Sequence, residues 1–434
     1  MILVYSHKIT PRLTYIFRQI FIRILELPVD FTSTIEKFVS HSGPKISYTH
    51  QPLGKEFFIS SHDLLFQQGI QEVGVEVSNW SGIPAFFKLS NDSQLPFDIF
   101  AASFYLMSRY EEFLPQIKDE LGSYLPHQSL AAKNNFLELP LIDLWALRLK
   151  DKLYEFFPEL PHISWNKPIF QPIVSVVNPN QYKHKSLLLK VVDSLKSMWE
   201  LNLFSLIEQY LVILGFRQDP YANFDALEKL FKVIGVEPIY FFLFSEISFF
   251  DQGVSIYNNR FRNLIKHTAD SFKVSLLASH AGQRESKKIF VECQQLNELI
   301  HRKIDFIRFN YTLLSASSGY YQLLENGIQE DYSMGYREVL GYRASTAVPF
   351  YFYDLNNDLQ TSLKIFPIVA QEEGLRSYSN EKVFKKLLDL YEALPTRSAF
   401  HGVSFSNAIL NPNEQNKSFS NQFINFLKSH ARKE

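Results

Sequence analysis

Cysteine is almost missing from this chain of 434 residues, where Cys293 stands alone. A single thiol forms no intrachain disulfide and no cysteine-rich metal site, and such usage fits a reducing compartment. Its context, "FVECQQLNEL", reads as helical, so a structural thiol is expected rather than a nucleophile. A surplus of either charge is missing too: 44 Lys and Arg face 45 Asp and Glu. Without a basic excess or stripe, no nucleic-acid partner is expected. Long apolar runs are also absent. "MILVYSHKITPRL" has no core of signal-peptide length before its first charges. In "RLTYIFRQIFIRILEL", Arg12, Arg18 and Arg23 interrupt the apolar positions, so no transmembrane segment is expected, and the location is read as cytoplasmic. Leu13, Ile16, Phe17, Ile20, Phe21, Ile24 and Leu25 still keep helical spacing. They fit a helix docked on its own domain better than one lying on a membrane.

What is present is apolar and rich in rings. Hydrophobic residues make up 46% of the chain, and 40 Phe and 22 Tyr lift the aromatic share to 15%, which implies globular, ring-packed cores. The length implies two domains. Residues 1–156 read as a small α/β unit with strands in "FFISSHDLLFQ" and "PAFFKLS" and an amphipathic helix in "PFDIFAASFYLMSRYEEFL". Residues 157–171, "FPELPHISWNKPIFQ", are punctuated by proline and read as a linker. From 172 onward, strand-like and helix-like segments alternate. "PIVSVV", "PIYFFLF", "KVSLLAS", "IDFIRFN", "LKIFPIVA" and "AFHGVSFS" read as strands. Between them, "LKVVDSLKSMWELNLFSLIEQYLVIL", "FDALEKLFKVIGV", "NRFRNLIKHTADS", "IFVECQQLNELIH", "SGYYQLLENGI" and "NEKVFKKLLDLYEAL" read as helices. That order predicts a parallel sheet with helices outside it, open or closed into a barrel.

Several long motifs occur in order along the chain: "FDIFAASFYLMSRYEEFLP", "NNFLELPLIDLW", "RQDPYANFDALEKL", "PIYFFLF" and "GIQEDYSMGYREVLGYRASTAVPFYFYDL". On these the chain resembles the polysaccharide deacetylase family, the NodB type of carbohydrate esterase family 4. The match is to a branch common in Bacteroidetes with an N-terminal domain of the DUF7033 type. The resemblance implies a deformed (β/α) barrel over 172–434 with its site at the C-terminal ends of the strands. It also implies a divalent metal such as zinc, held by Asp and His side chains, with an Asp as general base and a His as general acid.

The motif positions that would carry this chemistry have changed. Ser175-Val176-Val177 stands where the family has an Asp-hydrophobic-Asp tip. Leu277 takes the place of a histidine, and Ser406 that of the acid histidine. Loss of a general acid or base costs roughly 10²–10⁴-fold each in rate, so no metal cofactor and no standard deacetylation are expected. Ser279, Arg308, Asp331, Arg343, Glu372 and Asn407 persist at matching positions, where relatives orient catalytic groups or bind the glycan. Asp331 and Arg343 could instead form a buried pair that holds a loop, and Glu372 could be a solvated strand end. Of Tyr332, Tyr336, Tyr342, Tyr351 and Tyr353, about half should point into the core. His280 and His401 are offset from the emptied positions, so a relocated metal set with Glu372 is not expected. The leading expectation is a degenerate homologue that binds a carbohydrate or a protein partner in cell-surface polysaccharide metabolism. The alternatives are a deacetylase acting through Asp331 or Glu372, and a protein-binding partner of an active paralogue.

Overall fold

A computed structural model describes residues 1–119, 122–161, 168–183, 203–310, 316–378, 380–394, 399–410 and 414–429. The chain divides into two units. Unit 1 gathers Met1–Phe170, Thr312–Ala370 and Asp389–Gly402, and unit 2 gathers Gln171–Tyr311, Gln371–Leu388 and Val403–Glu434.

Unit 1 opens with three strands the sequence reading did not separate, β1 Ile2–Tyr5, β2 Val29–Thr32 and β3 Lys45–Thr49, and with β4 Phe57–Ser60, which falls in the strand read in "FFISSHDLLFQ". They form a parallel sheet in the order β2-β1-β3-β4. The arginine-interrupted stretch folds as the helix Pro11–Arg18 followed by a π-helical turn, Gln19–Ile24. Thr10 accepts from Leu13 N at its start, and Pro11 occupies the first helical position, where no N–H is needed. All seven periodic apolar residues of this stretch are buried within unit 1, as the docking reading expects. Phe17 stacks on Phe100 with ring centroids 3.6 Å apart.

Phe100 lies on the helix Ile99–Met107, which is buried along its whole length rather than on one face. The helices Pro11–Arg18 and Leu141–Phe156 both pack against it, which accounts for an apolar surface wider than one stripe. Asp98 caps it, accepting from Phe100 N at 3.0 Å and Ala101 N at 2.9 Å, and also from Tyr48 OH and His62 N. Asp98→Ala removes the cap and strands two buried donors, so we expect a loss of about 3 kcal/mol in urea unfolding. A loss below about 1 kcal/mol would contradict the cap's importance. A two-stranded hairpin, β5 Ser78–Trp80 and β6 Ile83–Ala85, turns through Ser81 and Gly82. Both have positive φ (51° and 92°), the backbone of a type I′ turn.

The later segment of unit 1 docks backbone to backbone on the first. Tyr342 N donates to Leu137 O at 2.9 Å, and a Cβ on Gly341 would sit 2.4 Å from that same oxygen, so only glycine permits the approach. Asp143 accepts from Thr346 Oγ1 at 2.9 Å and Ala347 N at 2.7 Å. β11 Glu330–Asp331 pairs parallel with β13 Leu359–Ile365, which also pairs antiparallel with β12 Phe350–Asp354. The sequence reading took "LKIFPIVA" as one strand, but Pro367 divides it into β13 and β14 Ile368–Gln371.

Unit 2 is the α/β part. β7 Ile169–Val176, β8 Ile239–Phe242, β9 Lys273–Ala278 and β10 Phe306–Phe309 pair in parallel in the order β10-β9-β8-β7, and β15 Phe400–Ser406 lies beyond β7. The helices Phe224–Ile234, Asn259–Ser271 and Ser286–Ile300 fall between them in sequence. Gly235, with φ 65°, ends the first of these. Of the predicted helix over 189–214, Leu203–Ile213 is helical and the residues before 203 lie outside those described. The sheet is curled. On a flat sheet β7 and β10 would stand roughly 14 Å apart, beyond the reach of one Arg and one Ser. Yet Arg308 Nε donates to Ser175 Oγ at 3.2 Å.

Candidate functional site

Side chains alternate along each strand, so β7 buries Val174 and Val176 on one side and turns Ser175 to the other. On that concave side Ser175 Oγ lies 3.3 Å from Ser404 Oγ of β15. Arg308 spans the same space, with Nε on Ser175 and Nη2 on Gln371 Oε1 at 2.9 Å. It is only 4% exposed. These groups form the floor of a cavity of about 240 Å³, which Val177, Asn310 and Ser406 also line. A second cavity, of about 320 Å³, shares Val177, Glu372, Arg376 and Ser406 with the first and adds Asn178, Tyr221 and Asn407. Together they make one cleft at the C-terminal ends of the unit 2 strands.

The rim is held by hydrogen bonds between side chains and backbone and by an ion pair. Asn407, 1% exposed, donates from Nδ2 to Asn178 O at 3.1 Å and to Tyr221 O at 2.9 Å. This joins the turn after β7 to the "DPYANF" segment. Asp219 in that segment accepts from the backbone N of Gln181, Tyr182 and Lys183 at 2.7–3.0 Å. The polar turn that follows the opening strand is therefore fixed by a carboxylate some forty residues away. Glu372 begins the helix Glu372–Ser377. Its Oε1 accepts from Arg376 Nε and Nη2 at 2.8 and 2.6 Å, and its Oε2 from Ser406 N at 2.7 Å.

Of the residues singled out in the sequence, Ser175, Val177, Ser406, Arg308, Glu372 and Asn407 are brought together in this cleft. Leu277 shares a face with its register partner Arg308 but is buried and lines neither cavity. Ser279 caps the short helix His280–Arg284, accepting from Gly282 N at 2.9 Å while its hydroxyl donates to Glu292 Oε1. Asp331 and Arg343 lie in the interior of unit 1, and they do not pair with each other. Asp331 accepts from Tyr320 OH at 3.3 Å and Ser333 N at 3.1 Å. Arg343 grips Glu112 through Nε and Nη2, both at 2.9 Å. Tyr332, Tyr336, Tyr342 and Tyr353 are buried in that unit, and Tyr351 is half-buried.

Gln371, Ser404, Tyr221, Asn178 and Arg376 also line the cleft and were not singled out. Two carried a usable signal. Arg376 stands four residues after Glu372, the spacing of a helical ion pair, and Ser404 precedes Ser406 by the strand period of two. Gln371 carried none.

The donor set bears directly on the metal that the family resemblance implies. The cleft's lining offers two adjacent carboxylates, Glu372 and Glu373, and no imidazole. Three nitrogen or oxygen ligands with an open position are what hydrolytic zinc needs, and these residues do not fit it. Among the described residues no three His, Cys, Asp or Glu side chains converge on a point where a cation could sit. His280 gives its backbone N to Asp251 at 3.0 Å and stacks its ring on Phe250, while His401 belongs to unit 1 and is fully buried.

Residues 2–158 match a family of unknown function, DUF7033. The match covers most of the first stretch of unit 1 and includes Glu112 and Asp143, whose partners Arg343 and Thr346 come from the later stretch. Among curated proteins none matches the chain. Solved structures overlay loosely. A provisionally assigned polysaccharide deacetylase from Mycobacterium smegmatis is 11% identical and aligns with a TM-score of 0.34 over 62% of this chain and 88% of its own. The Puue allantoinase is 13% identical, with a TM-score of 0.36 over 60% and 85%. Another provisionally assigned deacetylase, from Pseudomonas aeruginosa PAO1, is also 13% identical, with a TM-score of 0.35 over 60% and 84%. Overlays this loose carry no argument about the site, which stands on its own geometry. No helix of the described residues is long and apolar enough to cross a membrane.

Proposed function

We propose that this protein is a degenerate relative of polysaccharide deacetylases that binds a carbohydrate at the unit 2 cleft without metal-dependent deacetylation. On this reading it serves cell-surface polysaccharide metabolism. One observation supports it above the rest: the cleft persists, while Ser175, Val177 and Ser406 supply its lining at the motif positions where the resemblance implies acids, bases and metal ligands. The lining suits a saccharide. Ser175, Ser404, Asn310, Gln371 and Asn178 offer hydroxyl and amide groups that can exchange hydrogen bonds with sugar hydroxyls, and Tyr221 offers a ring. Val177 contributes no lone pair.

Glu372 is the one group that could argue for hydrolysis. Both its oxygens already accept hydrogen bonds from Arg376 and Ser406 N, which hold the side chain as a fixed strut. The test pairs two measurements on the full chain: calorimetric binding to a panel of oligosaccharides, and acetate release from N-acetylated glycans with and without added zinc or cobalt. The expected result is measurable binding to at least one glycan and no metal-stimulated acetate release. Acetate release that rises with metal would overturn the reading, as would failure to bind any glycan.

A further inference from the structure

One helix of unit 2 is turned inside out. In Leu203–Ile213 and its continuation, Ile207, Tyr210 and Leu214 follow helical spacing and are exposed, while Glu208 and Gln209 are buried. Leu214 N still donates to Tyr210 O at 2.9 Å, and Phe216 just beyond is 79% exposed. An ordinary surface helix has the reverse arrangement, with its apolar stripe inward and its charges outward. Glu208 accepts from Tyr182 OH at 3.4 Å, in the turn after β7, so the helix sits at the C-terminal end of the unit 2 strands. The loop after β8 reaches the same end, where a Cβ on Gly253 would lie 3.3 Å from Val177 O. That loop carries Phe249, 83% exposed, and Tyr257, 77% exposed. Phe250 is seated on the His280 ring at 4.0 Å and meets Phe249 edge-on at 5.2 Å.

We propose that this end of unit 2 docks on an anionic lipid surface, with the apolar side chains of the two segments seated among the headgroups. Exposed apolar surface of this kind marks a contact with a membrane or a protein, and charge favours the membrane. The acids of segments 207–218 and 245–258 are Glu208, Glu246 and Asp251, of which Glu208 and Asp251 are buried. Glu246 is exposed and lies 3.9 Å from Lys288. Arg217 lies 3.4 Å from Glu208 and keeps its own side chain half exposed, so the outward end of that pair is the cation. Each basic group near an anionic bilayer contributes about 1 kcal/mol. A second copy of the chain fits less well, because a two-fold contact would set the same face, Arg217 included, against itself. None of the apolar side chains lines either cavity of the cleft, and a fluid surface, unlike a peptide, needs no groove to fill. Tyr210 and Tyr257 suit the headgroup level, where one end of the ring is apolar and the other wet.

Sedimentation of the full chain with extruded vesicles tests this, using phosphatidylcholine alone and an equal mixture of phosphatidylcholine and phosphatidylglycerol. Affinity for the anionic vesicles should exceed that for the neutral ones about fivefold or more, an advantage that shrinks between about 50 mM and 500 mM salt. Phe216→Ser combined with Phe249→Ser should weaken binding to the anionic vesicles at least about tenfold. Melting should stay unchanged in that double variant, because both side chains are exposed. Binding to neither vesicle overturns the proposal, as does equal binding to both. A dimer seen by light scattering that the double variant splits also overturns it, since the face would then join two copies of the chain. So does a melting temperature lowered by more than about 5 °C in the double variant, because the rings would then pack against the chain itself. The vesicles carry no saccharide, so none of these outcomes bears on the carbohydrate reading, which the proposal goes beyond.

Discussion

Glu112→Gln should destabilise unit 1 by about 3–5 kcal/mol, because it leaves two buried guanidinium groups facing a neutral amide. Glu112 Oε1 accepts from Arg109 Nε at 2.9 Å, and both its oxygens accept from Arg343 at 2.9 Å. Each of the two arginines is 1% exposed. Burial alone would raise the Glu112 carboxyl, but the charges of Arg343 and Arg109 outweigh that and hold it at about 2. Arg109 is also held in the left-handed region, φ 55°, which turns Glu111 and Glu112 back under the helix Ile99–Met107. That conformation is unfavourable for a non-glycine residue, so it persists because the ion pairs stabilise it. Thermal unfolding should shift by on the order of 10 °C. Arg343→Met in the same background should recover part of the loss, since Arg109 keeps Glu111 at 2.8 Å and only one unmatched cation has to be removed. A Glu112→Gln protein that melts within a degree of the parent would show that the triad does not hold the unit together.

The triad also marks where sequence reasoning stopped. "PIVSVV", "PIYFFLF", "KVSLLAS" and "IDFIRFN" were legible as strands because each is a short apolar run bounded by breakers, and unit 2 contains all four in parallel. The helix over 11–18 was legible from its period, and its burial follows from that stripe. Of the first sheet of unit 1, β4 was legible in "FFISSHDLLFQ", while β1, β2 and β3 were missed because they are four or five residues long, too short for a period of two to stand out from noise. The β12–β13 hairpin was missed because the alternating pattern was read as uniformly parallel, although Asn356, Asn357 and Asp358 stand between the two strands as turn residues. The partner of Arg343 was unreadable for a different reason. Glu112 lies 231 positions away, and nothing local in either stretch reports a contact at that separation.

The cleft divides in the same way. Strand-end residues could be placed because a parallel α/β sheet gathers its loops at one end; Ser175, Val177, Arg308 and Ser406 follow that rule. Gln371 and Tyr221 could not, since a glutamine after β14 and a tyrosine in a loop have no pattern that sets them apart. Ser279 has a role that its sequence context does not show: it is the hydrogen-bond partner of a buried acid. That acid leads to the remaining large effect.

Stability should fall as pH rises from about 4 to 7, and Glu292 in unit 2 should contribute about 3 kcal/mol of that fall. Burial raises its carboxyl from 4.5 to about 7 against the opposing hydrogen bonds from Ser279. It is 5% exposed. The charges around it are Asp251, which adds to the rise, and Lys288, which opposes it. Next to it in sequence the Cys293 thiol is pushed up to about 12, first by burial and then by the Glu292 charge. A carboxyl whose folded pKa is raised binds its proton more tightly in the folded than in the unfolded chain. Its contribution is therefore complete below about 4.5 and is lost as pH climbs through 7. Asp143 in unit 1 has the same sign: burial raises it to about 7 despite the bonds from Ala347 N and Thr346. Glu112 has the opposite sign, and its stabilisation disappears only as pH falls toward 2. Urea unfolding at half-unit steps from pH 4 to 8 reads the slope. Glu292→Gln keeps an acceptor for Ser279 and removes the proton, so it should flatten the unit 2 transition while the unit 1 transition keeps its Asp143 slope. An unchanged unit 2 slope in that variant would mean that Glu292 titrates at an ordinary value and that the hydroxyl and backbone N of Ser279 stabilise its charged form more than burial opposes it.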